Sequence, residues 1–502
     1  MRAGGIRWWE VAFALTVSFM VVAPASAQAV GVQSPTPTLA PTPTLAPTPT
    51  LAPIGTTSPR ATPTPTTALG ASPTAVPPLE VVRAAFDLLR QRYVVAVPAE
   101  ALVAAARRTD GSPDRLDARG VPPVADIEAL WQAFATDFDA IARAMPPGAN
   151  PAHVAVRRMT SSLDDCHTSF TPDHARDASA LSKVEPYGGI GAVIREARRF
   201  EPLPPGPVVV QVFDGSPAAE AGLRAGDAVI AVDDVSATAV TGPLTERVRG
   251  APGSTVRLQV DRPGVAAPLE LAIERGAVTV PLVGFRRVEV VGVGPIGFVR
   301  FRSFAQPAVA PFIEAVTTLR GAPVRGWVID LRENGGGDLG VFERVASQFL
   351  SGPLAVTVER DGAPRTMMMR VAGESDDPTS IDHLPVAVLV NGETASAAEL
   401  FAGDLGDYGV GRLFGERTAG CFGTSRLFRL PDGSGVWITV SALQTGVARR
   451  DVHRTGLVPS VAVALRREDL ASGRDAGLEA ALTWLQDRLS VPNGDPRQVT
   501  VR

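Results

Sequence analysis

The strongest constraint on the fold is an alternation that begins near Pro281. Short apolar runs, "IGFVRF", "GWVIDLR" and "PVAVLVN", are separated by stretches with apolar residues at helical spacing, "VAPFIEAVTTL", "VFERVASQFL" and "SAAELFAGDL". That rhythm predicts an α/β sheet with crossover helices over residues 281–490. In such a sheet a site is expected in the loops at the C-terminal ends of the strands.

Two other regimes precede this core. Over 79–184, "LEVVRAAFDLLRQRY" and "IEALWQAFATDFDAIARAM" place apolar residues at helical spacing and predict a helical N-terminal region. Over 185–280, the runs "PVVVQVF", "DAVIAV", "STVRLQV" and "LELAI" between Gly and Pro turns predict a small β-rich domain. Upstream, residues 28–78 are rich in Pro, Thr, Ala and Ser, with "PTPTLA" three times in succession from Pro35. Such a composition buries too little apolar surface to fold and favours an extended spacer.

Residues 1–27 read as a signal peptide: Arg2 and Arg7, an apolar run from Val11 to Ala23, then "ASA" at Ala25–Ala27. The run is shorter than the roughly 20 residues that span a bilayer, so no integral membrane segment is expected after cleavage. The expected location is extracellular or in the cell envelope. Residues 491–502 form a C-terminal tail. With 48 basic against 52 acidic residues the net charge is -4, which gives no electrostatic case for a nucleic-acid partner. The five histidines are scattered and suggest no metal centre, and no cofactor is expected.

Three segments carry residues suited to chemistry. In "VLVNGETASAAELFAGDLGDYG", Ser396 follows a strand and a turn and opens a helix whose N-terminus favours nearby negative charge; a plain helix cap is the alternative. In "GWVIDLRENGGGDLG", Gly335 to Gly337 let backbone N–H groups approach a reacting carbonyl, unless they are simply a flexible loop. The only two cysteines are Cys166 in "LDDCHTSF" and Cys421 in "GERTAGCFGTS". They are catalytic, bonded to each other, or buried thiols.

"YGGIGAVI", followed by "GSPAAEAGLRAGDAVIAVDD", closely resembles a PDZ domain. The resemblance implies that Gly188, Gly189, Ile190 and Gly191 aim backbone N–H groups at a peptide's terminal carboxylate, while the next strand pairs with that peptide. "GWVIDLRENGGG", "NGETASAAEL", "GERTAGCFG" and "TGLVPSVAV" occur in the order and spacing of the C-terminal processing, or tail-specific, peptidases. The chain resembles that family from about Leu79 to Leu489. The implied fold is α+β and multidomain: a helical N-terminal region, a PDZ domain and an α/β catalytic core.

The implied activity is that of an exported serine endopeptidase acting on proteins or peptides bound through their C-termini, without metal or cofactor. Ser396 matches the nucleophile, and Ala397 with Gly336 and Gly337 the oxyanion donors. The sequence departs from the family at the base, where Cys421 stands at the lysine position. "LDDCHT" is similar to the histidine segment of the tricorn-like branch and makes His167 the base. Asp165, Asp451 and His453 are candidates for orienting it, and Asp407 is read as structural. If both segments border Ser396, the resemblance also implies a Cys166–Cys421 disulfide. Two other readings remain: a noncatalytic PDZ peptide-binding scaffold and a carrier of small apolar ligands.

Overall fold

The computed structural model describes residues 76–108, 126–145, 148–173, 187–196, 207–239, 244–321, 324–360, the backbone of 364–367, and 384–490. The expected signal peptide, the Pro/Thr-rich segment up to residue 75, and the tail 491–502 lie outside the described residues. No described helix is long and apolar enough to cross a membrane.

Four helices come first: α1 (Pro78–Arg92), α2 (Ala99–Arg107), α3 (Ile127–Arg143) and α4 (Pro151–Ser162). Their starts are locally encoded. Asp126 accepts from the amide of Ala129 to cap α3, and Asn150 caps α4 with Pro151 at its first position. Phe86, Trp131, Phe134 and Met159 pack together, and against them lie Val436 and Ile438 from a sheet far along the chain and Leu430 from the turn beside it.

The chain then leaves α4 through Asp164, at a left-handed φ of 49°, and forms the short strand β1 (Ser169–Thr171). The helical reading of 79–184 therefore holds for the four helices but not for this strand.

The PDZ portion contains β2 (Tyr187–Gly189), β3 (Ala192–Arg195), β4 (Val208–Val212), α5 (Pro217–Glu220), β5 (Ala228–Val232), β6 (Val235–Ser236), α6 (Leu244–Val248), β7 (Thr255–Asp261), β8 (Leu269–Glu274) and β9 (Gly276–Val278). The sheet order is β3-β4-β5-β7-β8, so β3 is an edge strand. Several contacts join this portion to the core, three of them as follows. Buried Arg195 pairs with Glu416 at 2.5 Å, Arg302 donates to Gln211 at 2.7 Å, and Arg467 donates to the carbonyl of Gly226 at 2.9 Å.

In the core, β10 (Val283–Val290), β11 (Gly294–Phe301), β12 (Trp327–Asp330), β13 (Ala355–Glu359), β14 (Pro364–Met367), β15 (Val386–Val390), β16 (Gly411–Gly415), β17 (Gly423–Arg429), β18 (Gly435–Thr445) and β19 (Val461–Ala462) form two sheets. One runs β10-β11-β12-β15-β16-β19 and is parallel from β11 onward. Alternation along its strands feeds two apolar layers. Ile329, Val388 and Val390 face the layer built with α7 (Val309–Arg320), α8 (Leu339–Ala346) and α9 (Ala397–Asp407). Val328, Ala387 and Leu389 face α11 (Ala476–Ser490), which follows the short α10 (Arg467–Ala471).

The second sheet is antiparallel, with β18 pairing β1, β13 and β17. Pairing of Ser169–Thr171 with Gly435–Trp437 brings the end of α4 to the core.

Candidate active site

Three loops meet at the C-terminal ends of parallel strands. The loop after β12 holds Gly335–Gly337, that after β15 leads to Ser396, and that after β16 runs from Glu416 to Phe422. The first is anchored by Asp330, wholly buried at the end of β12. Burial alone would raise its carboxyl, but Arg332 and Arg300 hold it at about 2.

Ser396 is 8% exposed and caps α9 in a backbone conformation, φ 56° and ψ -122°, that L-residues rarely adopt. Strain of about 1–3 kcal/mol at one such residue persists only where the surroundings enforce it. Those surroundings are on both sides. The amide of Ala395 donates to the carbonyl of Asn334 at 2.9 Å, and a Cβ on Gly336 would lie 2.6 Å from the Cβ of Ser396 and 2.9 Å from the amide nitrogen of Ala397. Glycine at 336 thus allows the loop to lie directly against the serine.

The second restraint is Glu399, which the sequence reading did not single out. Its buried carboxylate accepts from the amides of Ser396 at 3.0 Å, Gly420 at 2.8 Å and Cys421 at 2.9 Å, and from the Thr418 hydroxyl at 2.5 Å. Burial pushes its pKa up while these four donors oppose that rise. The sequence signal was "SAAE", a serine followed three residues later by a glutamate, which is a capping-box spacing.

The turn held by Glu399 is linked covalently to the histidine segment. Cys166 and Cys421 form a disulfide with Cα atoms 5.9 Å apart, so the buried-thiol and cysteine-nucleophile readings fall away. The His167 Nδ1 lies 3.6 Å from Cys166 Sγ. Arg454 adds a noncovalent bridge: its amide donates to the Gly420 carbonyl at 2.7 Å and its side chain to the Leu163 carbonyl at 2.9 Å. Ser396 and His167 are thereby fastened to one turn. Burial lowers the His167 pKa; Asp165 opposes this and His453 adds to it.

The orienting candidates occupy different places. Asp165 Oδ1 accepts from the His167 backbone amide at 3.0 Å and Oδ2 from the Thr168 hydroxyl at 2.9 Å, so it fixes the segment by its main chain. Asp451 is exposed and accepts from the amide of His453 at 2.9 Å. His453 is electrostatically coupled to both His167 and Asp165. Asp407 accepts from Thr445 at 2.5 Å and pairs with Arg450.

Gly336 does not fit the donor role, because its amide already donates to Asn334 Oδ1 at 2.9 Å. In the PDZ loop the glycines answer to packing. A Cβ on Gly188 would lie 1.9 Å from the Gly250 carbonyl oxygen, and one on Gly191, where φ is 76°, would lie 2.4 Å from Ser216 Cβ. Gly188 and Gly189 belong to β2, paired with β9. Ile190 is buried, and its carbonyl accepts from Ala218 at the start of α5.

The profile of peptidase family S41 matches residues 295–463, and that of the PDZ domain residues 188–273. The carboxyl-terminal-processing protease of Picosynechococcus sp. (strain ATCC 27264 / PCC 7002 / PR-6) is 30% identical over 315 residues, which cover 62% of this chain and 73% of that protein. The chain belongs to peptidase family S41.

The carboxyl-terminal-processing proteases of this family are serine peptidases. Carboxyl-terminal-processing peptidase 2, chloroplastic, of Arabidopsis thaliana is 31% identical over 61% of this S41 chain, and the match spans 59% of that relative's length. A solved photosystem II D1 C-terminal processing protease superposes with a TM-score of 0.54 at 26% identity, over 82% of this chain and 98% of that one. The sole lysine of this S41 peptidase is Lys183, just before the PDZ portion and outside the described residues. The described core therefore contains no lysine to serve as a base.

Proposed function

We propose that this S41 peptidase is an exported serine endopeptidase in which His167, rather than a lysine, activates Ser396. Its support is the shared anchorage just described: Glu399 holds the Ser396 amide and the Cys421 turn, and the disulfide holds the histidine segment to that turn.

With its proton on Nδ1, facing Cys166, the imidazole has its lone pair on Nε2. Nε2 takes the proton of Ser396 as Oγ bonds to the scissile carbonyl carbon. The amides of Ala397 and Gly337 receive the oxyanion. Collapse breaks the C–N bond, with the imidazolium returning its proton to the leaving amine, and water then hydrolyses the acyl-enzyme by the same base. Burial favours the neutral imidazole that the first step requires.

The PDZ portion supplies the substrate site. A peptide in extended form adds to the open edge of β3, and Ile190 and Gly191 offer backbone amides to its terminal carboxylate. Glycine at 188 lets the loop close on the Gly250 carbonyl.

Incubation with an unfolded protein substrate tests the reading. Wild type is expected to produce internal fragments and Ser396→Ala none, with both chains showing the same circular dichroism. Peptide binding without cleavage in wild type would instead establish a noncatalytic scaffold.

A further inference from the structure

Beside the serine lies a trio with a second chemistry. Cys166 Sγ, a ring nitrogen of His167 and Cys421 Sγ lie within 4.8 Å of one another. Thiolate and imidazole together suit zinc, whose structural and catalytic sites use such donors. A tetrahedral zinc with bonds near 2.3 Å to sulfur and 2.0 Å to nitrogen separates S from N by about 3.5 Å and S from S by about 3.8 Å. The distance from His167 Nδ1 to Cys166 Sγ is 3.6 Å, already that of two ligands on one ion. The sulfurs must part, from about 2.05 Å in a disulfide, and Cys421 Sγ must close on the ring nitrogen from within 4.8 Å.

We propose that reduction of Cys166–Cys421 converts this corner of the active site into a Cys2His zinc site that shuts off the peptidase. The inhibitory half rests on the function proposed above; the metal site does not.

Access favours the opening. Cys166 is exposed and Cys421 buried, so a reductant reaches the first sulfur. A trialkylphosphine gives a balanced step: the disulfide takes two electrons and two protons and becomes two thiols, while the phosphine takes the oxygen of water and becomes the phosphine oxide. Zinc then displaces the two thiol protons, and His167 contributes its Nδ1 lone pair.

Both protein anchors survive the opening. Glu399 still holds the Cys421 amide, and Asp165 still holds the His167 amide, so the ligands stay near each other. Three protein ligands leave a fourth position for water, an open set.

Inhibition follows from the two ring nitrogens. Metal on Nδ1 places the imidazole proton on Nε2, which removes the lone pair proposed to receive the serine proton. Zinc would therefore act by fixing the wrong tautomer rather than by blocking the serine.

The test uses the full chain as Ser396→Ala, which avoids self-cleavage, with cobalt(II) as a spectroscopic probe and zinc as competitor. After phosphine treatment and removal of the reductant, one cobalt per chain should bind, with a thiolate-to-cobalt charge-transfer band and tetrahedral visible bands that zinc abolishes. The oxidised chain and Cys166→Ser should lack the band, and His167→Ala should weaken binding at least tenfold. In the reduced wild type, zinc should suppress cleavage at least tenfold, and a chelator should restore it; the oxidised enzyme should be indifferent.

Failure of the phosphine to release two thiols from the folded chain would overturn the proposal. So would absence of the cobalt band, or its survival in Cys166→Ser. A cobalt band in a protein that cleaves nothing in any redox state would uphold the metal site while refuting the peptidase reading.

Discussion

At Ser396, a non-glycine residue at φ 56° is held by Glu399 from below and by the Gly336 loop from the side. The four donors to Glu399 make its charge and both oxygens indispensable. Glu399→Gln turns one acceptor into a donor facing donors, and unmade buried hydrogen bonds cost about 1–3 kcal/mol each. Denaturant unfolding should show a loss of that order, and kcat should fall at least tenfold with little change in KM.

The His167 assignment carries a pH signature. Burial lowers its pKa below the ordinary value, so the neutral, proton-accepting form persists below about pH 6.5. The acid limb of kcat/KM should accordingly have its midpoint under that value and vanish in His167→Ala. A limb rising near pH 9 would indicate an amine base instead.

At the scale of elements, the parallel sheet and the PDZ strands were legible because their patterns are local. Buried runs such as "VAVLV" end in glycine or asparagine turns, and "SPAAEAG" ends its helix on a glycine. The antiparallel sheet was not legible: β1 pairs with β18 across more than 260 residues, a contact that no periodicity encodes. Glu399 escaped for a different reason, since a capping-box glutamate looks the same whether it holds one amide or a whole turn.

Gly336→Ala places a methyl against Ser396 and the Ala397 amide at a residue with φ 90°, so activity should be lost even where the fold, followed by circular dichroism, remains. For the PDZ edge, calorimetry on the full Ser396→Ala chain should show that amidating a peptide's C-terminus weakens its binding. Equal affinity would exclude carboxylate capture by Ile190 and Gly191.

Across the whole molecule, the disulfide spans 255 residues and joins the segment after α4 to the catalytic core. In the chain-entropy model, closing so long a loop stabilises by up to about 5 kcal/mol, and measured values are usually nearer 2–4. The β1–β18 pairing and the Arg454 bridge make the same connection without covalent bonds, so the chain with both cysteines changed to serine should fold with a lower unfolding midpoint. The described core holds no lysine, and a histidine segment is bonded to the Cys421 turn, so the proposal that His167 serves as the base is open to a direct test. The most direct test is the rate of labelling by a fluorophosphonate, with the adduct located by peptide mass spectrometry. Wild type should carry a single adduct on Ser396, and His167→Ala should label at a rate about 100-fold or more lower. Labelling of His167→Ala at the wild-type rate would contradict His167 as the base.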